Sequence, residues 1–348
     1  MSFAWLRRSR WVALCCVGGA LMGCAMLLGR PAWGWGPYGH QLVNGAAVEA
    51  LPEPLRGFYR ANREHLEALS MMPDEWRASD RQEGPRHFID LDRYGSAPNF
   101  DIPHDYQAAV LKHGKAKVDS NGIVPWVIEQ RFQQLVKAMK NRDAADIVYQ
   151  SAALGHYVAD IHVPFHATEN YDGQMTQQRG IHARFEEGVV ERFVKSGSVK
   201  PKPAKEIPNV VVAAFDWAAE SLSLVPDLLR ADKEAQKAVG NLDYDEVYYN
   251  LFSKTASGIA ARRLNDAAHA LASLWFTAWV KAGRPPLKPV KVANPSPFLI
   301  GNKFNRLYHL ATCRWLPSPE TRVTLASREQ ARQGGYRPCP YCRPSGSK

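Results

Sequence analysis

The chain has 348 residues, 45% of them hydrophobic and 22% charged, a composition that excludes a disordered polymer and allows one sizeable domain plus a small one. Its net charge of +10 is uneven: residues 1–34 carry four Arg and no acid, and residues 291–348 carry ten Lys plus Arg against Glu320 and Glu329. The middle is left at about −2 by difference, so the basic character points to an anionic partner for the tail, nucleic acid or an anionic surface, rather than for the whole chain.

Residues 1–34 read as a targeting segment. Arg7, Arg8 and Arg10 form a basic start, Trp11 to Leu28 an apolar stretch, and Ala32-Trp33-Gly34 a small-x-small cleavage site. Gly18, Gly19, Gly23 and Gly29 interrupt the stretch, which weakens the alternative of a membrane-anchoring helix. A second alternative is lipidation at Cys24, because Leu21-Met22-Gly23-Cys24 resembles a lipobox. The expected product is exported, periplasmic or extracellular, begins at Trp35 and has no transmembrane anchor.

From Trp35 to about Gly283 the apolar spacing is helical, over Gln41 to Leu51, Trp126 to Lys140, Ala144 to Tyr157, His182 to Val194 and Ala256 to Val280. Ala97 to Pro103, Asn170 to Gly180 and Lys200 to Pro208 concentrate Pro and Gly and read as surface loops. Pro285-Pro286-Leu287-Lys288-Pro289 and Asn294-Pro295-Ser296-Pro297 cannot continue a helix and read as a linker. The expected organisation is a signal segment (1–34), a helical domain (35–290) and a linker with a small module (291–348). In that module β-prone pieces lie around Tyr308 and Val323 and a helical piece at Arg328 to Gly334, too little core to fold without a staple.

Metal-ligand side chains recur in tight register. His156 and Asp160 stand four apart, so on a helix from Ser151 to Ile161 both project from one face, and His166 follows the bend at Pro164. His182 and Glu186 repeat the step. One such pair would more often be a surface hydrogen bond, but two pairs flanking a third His within 31 residues favour metal. Upstream, Met71-Met72-Pro73-Asp74 places a carboxylate in a loop and Arg86-His87-Phe88-Ile89 places a His in a short apolar run; alone, each has the ordinary reading of a cap or a core histidine. His162 lies off the His156/Asp160 face, and a structural role is expected for it. With Cys15, Cys16 and Cys24 in the targeting segment, the only other cysteines are Cys313, Cys339 and Cys342, so the helical domain has neither disulfides nor a thiol nucleophile, and no recognisable Ser-centred motif.

The segment Trp35-Gly36-Pro37-Tyr38-Gly39-His40, with Gly-His-Tyr-Val-Ala-Asp-Ile-His-Val-Pro-Phe-His at 155–166, resembles the superfamily that joins zinc-dependent phospholipases C to single-strand-specific nucleases. The resemblance implies a mainly α fold and three zinc ions. Asp74, His87, His156 and Asp160 would hold one. Trp35, through a free amine and its carbonyl, would hold a second with His40 and Asp160; His166, His182 and Glu186 would hold the third. Asp160 would then bridge two ions, a hydroxide held between them would attack phosphorus, and Asp74 would orient it or act as base.

His309, Cys313, Cys339 and Cys342 have structural-zinc spacing. In Tyr308-His309 and Tyr336 to Cys342 they resemble the Ada-type metal-binding domain, with His309 replacing a cysteine, which leaves zinc binding but puts thiol-based repair chemistry in doubt. The leading expectation is a secreted phospholipase-C-like phosphodiesterase, favoured by Glu186. A single-strand nuclease is the first alternative, favoured by the Trp35 to His40 spacing and the basic tail; a non-catalytic zinc-stapled binding protein is the second.

Overall fold

The computed structural model describes residues 34–348, apart from 78–79, 241–242, 297, 312, 319–320, 326–327, 343 and 345–348. The segment expected to be a targeting leader, including Cys24, lies outside the described residues except for Gly34. The chain is mainly α. Helices α1 (Gly36–Glu49), α2 (Leu55–Ala61), α3 (Arg63–Leu69), α4 (Met72–Trp76), α5 (Tyr106–His113), α6 (Lys115–Ser120), α7 (Val124–Asn141) and α8 (Ala144–Ile161) come first. They are followed by α9 (Ile181–Ala183), α10 (Val190–Phe193), α11 (Val210–Ser223), α12 (Val225–Val239) and α13 (Glu246–Lys281). A two-stranded ribbon, β1 (Gly95–Ser96) with β2 (Asn99–Phe100), interrupts the first half. No helix among the described residues is long and apolar enough to cross a membrane.

Helix α8 is the axis of the core. Asp143 caps it, its carboxylate accepting from the Ala145 and Asp146 amides at 3.0 and 3.1 Å. From Ser151 to Ile161 every residue is buried, because α1, α3, α7 and α13 pack around it. A helix surrounded on all sides is apolar all round, so the few polar groups it carries inward must be held by something. Gly155 sets the approach of α1: a Cβ there would lie 2.3 Å from Asn44 Oδ1. That close crossing lets the His40 ring of α1 stack on the His156 ring of α8, 4.1 Å between centroids. Helix α13 is longer than its apolar spacing implied, because Asp245 caps it by accepting from Tyr248 N at 2.9 Å.

The tail forms a sheet in the order β5 (Arg322–Leu325), β3 (Leu299–Asn302), β4 (Leu307–Leu310), β6 (Arg337–Pro338), with α14 (Arg328–Gln333) beside it. Strand β3 is antiparallel to both neighbours and β4 is parallel to β6. Its own core is small: Leu299, Tyr308, Leu325, Ala331 and Tyr336. Ile300 and Ala311 instead join the main core, and the Phe298 ring sits 6.2 Å from Tyr149 of α8. The segment expected as a linker runs along α2 and α3 as a strap. Asn62 donates to Val290 O at 3.0 Å and accepts from Val292 N at 2.8 Å, and His65 Nε2 donates to Val292 O at 2.7 Å. Arg322 of β5 pairs with Glu75 of α4.

Candidate metal centre

Asp74 was expected in a loop, and the structure corrects this: it lies in the first turn of α4, where Pro73 starts the helix with the φ it already prefers. His87 ends a 3₁₀ turn, Gly84–His87. These two meet the His156/Asp160 face of α8. His87 Nδ1 is 2.8 Å from Asp160 Oδ2 and 3.7 Å from Asp74 Oδ1; His156 Nε2 is 3.2 Å from Asp160 Oδ2 and 3.8 Å from Asp74 Oδ1. All four side chains are buried. His156 Nδ1 donates to Ser70 O at 2.8 Å, which fixes its tautomer and aims Nε2 at the carboxylates.

On the other oxygen of Asp160, His40 Nε2 is 3.4 Å from Oδ1 and His166 Nδ1 is 3.9 Å away, and that nitrogen of His166 donates to His87 O at 2.8 Å. His166 then presents Nε2 toward Glu186 Oε2, 4.0 Å away, and His182 Nε2 lies 2.7 Å from the same oxygen. His182 and Glu186 sit on one rod running from Ile181 to Phe193, whose middle, Arg184–Val189, is a π-helical turn. Such wide turns recur at functional sites. Donor atoms within 4.8 Å of one another form three groups: His87, His156 and Asp160; His40, Asp74 and His156; His166, His182 and Glu186.

Trp35 is anchored beside this cluster. Its indole N–H donates to Ala159 O at 2.9 Å, one residue before Asp160, and its ring packs on Phe185 at 5.6 Å. Gly34 has φ +57, and a Cβ on it would fall 2.2 Å from Asp160 Oδ1 and 2.8 Å from His40 Nε2. The peptide entering Trp35 therefore runs between the two side chains expected to share an ion with it. His162 faces the other way, toward Trp217 and Arg263.

The donors fit a metal. Burial without a hydrogen bond costs on the order of 1–3 kcal/mol per polar group. Yet His40 (both nitrogens), Asp74 (both oxygens), Asp160 Oδ1, His182 (both nitrogens) and Glu186 (both oxygens) have no hydrogen-bond partner. His182 Nε2 and Glu186 Oε2 are close without hydrogen-bond alignment, as expected of atoms facing a common point. Burial holds His40, His166 and His182 below their ordinary range, keeping the imidazoles neutral as ligands must be. Burial, with Glu187, Asp160 and Asp74 nearby, drives the Glu186 carboxyl well above its usual range, a cost that a cation would remove.

The tail gathers its four expected donors in the same way. His309, Cys313, Cys339 and Cys342 lie within ligand distance of one another, and backbone amides of Leu310 and Trp315 donate to Cys342 Sγ and Cys313 Sγ at 3.4 Å. Those N–H donors only partly offset the burial that pushes both thiols up, a cost that a cation held by the sulfurs would remove.

Four residues that the sequence reading passed over stand around the main cluster. Glu83, buried, lies 3.4 Å from His87 Nε2 and accepts from Tyr157 OH. Arg77 Nε is 3.4 Å from Asp74 Oδ1. Tyr171, 52% exposed, sets its ring edge-on to His182 with centroids 6.4 Å apart. Asp90, half-buried beside Asp92 and Glu169, is pushed up to about 7, first by the burial of its carboxyl and then by those carboxylates. Only Glu83 left a sequence signal, its four-residue spacing from His87. A cleft of about 690 Å³ at His104, Trp126 and Val210 contains none of the donors.

Asp90 gives a pH prediction. Its folded-state pKa exceeds the unfolded value near 4, so the native state binds the extra proton and stability falls as pH rises from about 4 to 7. Asp90→Asn should raise unfolding stability at pH 8 by about 2 kcal/mol, allowing for its partial exposure, and change it little at pH 4. Urea unfolding of the zinc-loaded protein at both pH values checks this; equal effects at the two would contradict it.

Buried carboxylates and imidazoles that converge, several of their atoms without a hydrogen-bond partner, define a candidate metal centre of the kind that hydrolases use. Residues 35–183 match the model of the S1/P1 nuclease family, a family of the superfamily of zinc-dependent phospholipases C and nucleases that this part of the chain resembles. The protein is a zinc-dependent hydrolase of phosphoric diesters. No curated protein matches the chain.

Proposed function

We propose that the protein is an exported single-strand-specific nuclease whose mature chain begins at Trp35. Asp74, His87, His156 and Asp160 hold one zinc; the Trp35 amine and carbonyl, His40 and Asp160 a second; His166, His182 and Glu186 a third. His309, Cys313, Cys339 and Cys342 hold a structural zinc in the tail. The family match supports the nuclease reading over the phospholipase-C-like one. The observation that carries it is Tyr171, an exposed ring at the edge of the His166/His182/Glu186 group, placed as a stacking platform for an unpaired base. Glu186 remains the feature that favours the phospholipid reading.

Bound zinc supplies Lewis acidity toward the phosphoryl oxygens and activates water at neutral pH. The chain's own groups do the rest. Asp74, buried and with neither oxygen hydrogen-bonded, orients the attacking water and receives its proton. Arg77, partly exposed beside Asp74, places positive charge where the scissile phosphate enters. Glu83 holds the His87 ring from behind, so that Nδ1 keeps facing Asp160.

The test is a side-by-side assay of the zinc-loaded chain on single-stranded DNA, duplex DNA and phosphatidylcholine. Single-stranded DNA should be the fastest substrate, and Tyr171→Ala should raise its KM by about tenfold with little change in kcat, since one base stack is worth roughly 1–3 kcal/mol. Faster turnover of phosphatidylcholine, indifferent to Tyr171, would transfer the assignment to the phospholipase branch.

A further inference from the structure

Helix α4, which carries Asp74, is too short to hold its own shape. It has five residues and no side-chain N-cap, well below the length at which backbone hydrogen bonds repay the cost of starting a helix. Neither oxygen of Asp74 has a hydrogen bond, yet Oδ1 is kept 3.7 Å from His87 Nδ1 and 3.8 Å from His156 Nε2. That placement depends on what grips α4 from outside. The helical body supplies one grip at Trp76, whose ring lies 6.4 Å from the Tyr149 ring of α8, with the Arg131 guanidinium of α7 over it at 4.8 Å. The tail supplies another at Glu75, the residue next to Asp74, which pairs with Arg322 of β5.

This ion pair differs from those on the surface. The Arg322 and Glu75 side chains are only 19% and 10% exposed, so either charge has little water to turn to when the other is lost. Arg322 is itself held in place: its Nε donates to Pro317 O at 2.8 Å, and it stands opposite Asn302 in the antiparallel register of β5 and β3. Strand β3 enters the main core through Ile300, and Phe298 just before it lies 6.2 Å from the same Tyr149 ring that backs Trp76. The tail therefore reaches α4 through β5 and β3. The four tail donors belong to the other edge of the sheet, with His309 on β4 and Cys339 just after β6, so the pair does not depend directly on the tail metal.

We propose that Arg322 is a positioning residue for hydrolysis: by holding Glu75 it fixes α4 and with it the Asp74 carboxylate, which makes the tail part of the working centre. The proposal rests on the role assigned to Asp74 above but not on the choice between nucleic acid and phospholipid. With Arg322 neutralised, Glu75 keeps a charge where water is scarce, and α4 must turn to solvate it. A short helix that turns carries Asp74 off its place, and small misplacements of a reacting group are costly in rate.

The test follows hydrolysis of bis(4-nitrophenyl) phosphate, and retention of zinc against a chelator, in the zinc-loaded chain beginning at Trp35. Arg322→Gln should lower kcat by about tenfold with KM within about twofold of wild type, and should give up its first ion at about tenfold lower chelator concentration. Glu75→Gln, which leaves the tail untouched, should lower kcat similarly, and the double variant should be no slower than the slower single one, because both changes act through one contact. Arg322→Lys keeps the charge and should stay within about threefold of wild type. A pair that serves stability alone would lower the melting temperature of these variants and leave kcat and zinc retention unchanged; that result would overturn the proposal, as would a double variant whose loss is the product of the single losses. If Arg322→Gln misfolds by circular dichroism, Glu75→Gln decides alone. Asp74→Asn runs beside them: full activity and zinc there would remove the role of Asp74 and the proposal with it, whereas collapse there with Glu75→Gln at the wild-type level would sink the proposal and leave Asp74 in place.

Discussion

Replacing Asp160 by Asn is expected to release at least one zinc ion and to lower phosphodiester hydrolysis by several orders of magnitude while leaving the fold intact. The side chain keeps its shape and stays at the centre of α8, fully buried, so packing changes little. What changes is charge. His87 Nδ1, His156 Nε2 and His40 Nε2 all point at its two oxygens, at 2.8, 3.2 and 3.4 Å, and the imidazoles of His156 and His166 hold the carboxyl well below its ordinary range despite burial. An amide supplies neither the charge that keeps two cations together nor a second ligand oxygen. Metal catalysis of this kind is worth several kcal/mol of transition-state stabilisation, and each ~1.4 kcal/mol is tenfold in rate. Asp146→Asn, on the first turn of the same helix and away from the cluster, is the control: zinc content and turnover should be retained. An active Asp160→Asn enzyme with full metal content would refute the bridging role.

A chain that retains Gly34 is expected to bind one ion fewer than a chain beginning at Trp35 and to be nearly inactive. The amide nitrogen of an internal Trp35 has no lone pair available to a metal, whereas a terminal amine has one. The geometry adds a steric reason, since Gly34 lies against Asp160 Oδ1 and His40 Nε2, where a Cβ would come within 2.2 and 2.8 Å. In the proposed mature chain, cleavage before Trp35 would therefore both create a ligand and clear the space between His40 and Asp160. Zinc analysis and turnover of proteins starting at Gly34 and at Trp35 compare the two states, and equal metal content and activity would remove Trp35 from the site.

Much of the centre was legible in the sequence because helical spacing carries it. His156/Asp160 and His182/Glu186 stand one turn apart, and that periodicity survives whatever the helices pack against. The position of Asp74 was legible only as a residue type: five residues are too short for an apolar repeat, so the helix that Pro73 starts showed no pattern. Arg77 and Tyr171 carry no motif of their own: Arg77 matters through Asp74, three residues back, and Tyr171 through His182, across a loop whose path the apolar spacing does not give. The same holds for α11. Its run Val210-Val211-Val212 favours strands by local preference, and it is helical because Asn209 caps it and α7 covers its apolar face. In the tail the four side chains that the structure brings together as candidate zinc donors were legible from spacing, whereas its seating on the helical body rests on a few residues, Phe298, Ile300, Ala311 and Arg322, that nothing in sequence distinguishes from an independent module.

That seating affects how the tail can be tested. Cutting the chain near residue 290 would take Ile300 and Ala311 out of the main core, uncovering the surface they pack on, and free Glu75 of its Arg322 partner beside Asp74, so loss of activity after truncation would not isolate the tail metal. A point change at a thiolate ligand avoids this.

Convergent donors in the helical body, several of their atoms without a hydrogen-bond partner, are assigned three ions, and the four tail donors one. Metal content of the folded chain beginning at Trp35, measured by elemental analysis after removal of free zinc, tests this assignment most directly. About four zinc ions per chain are expected, falling to about three in Cys339→Ala with hydrolysis largely retained. A wild-type chain that holds about one ion, or whose count is unchanged by Cys339→Ala, would contradict the account.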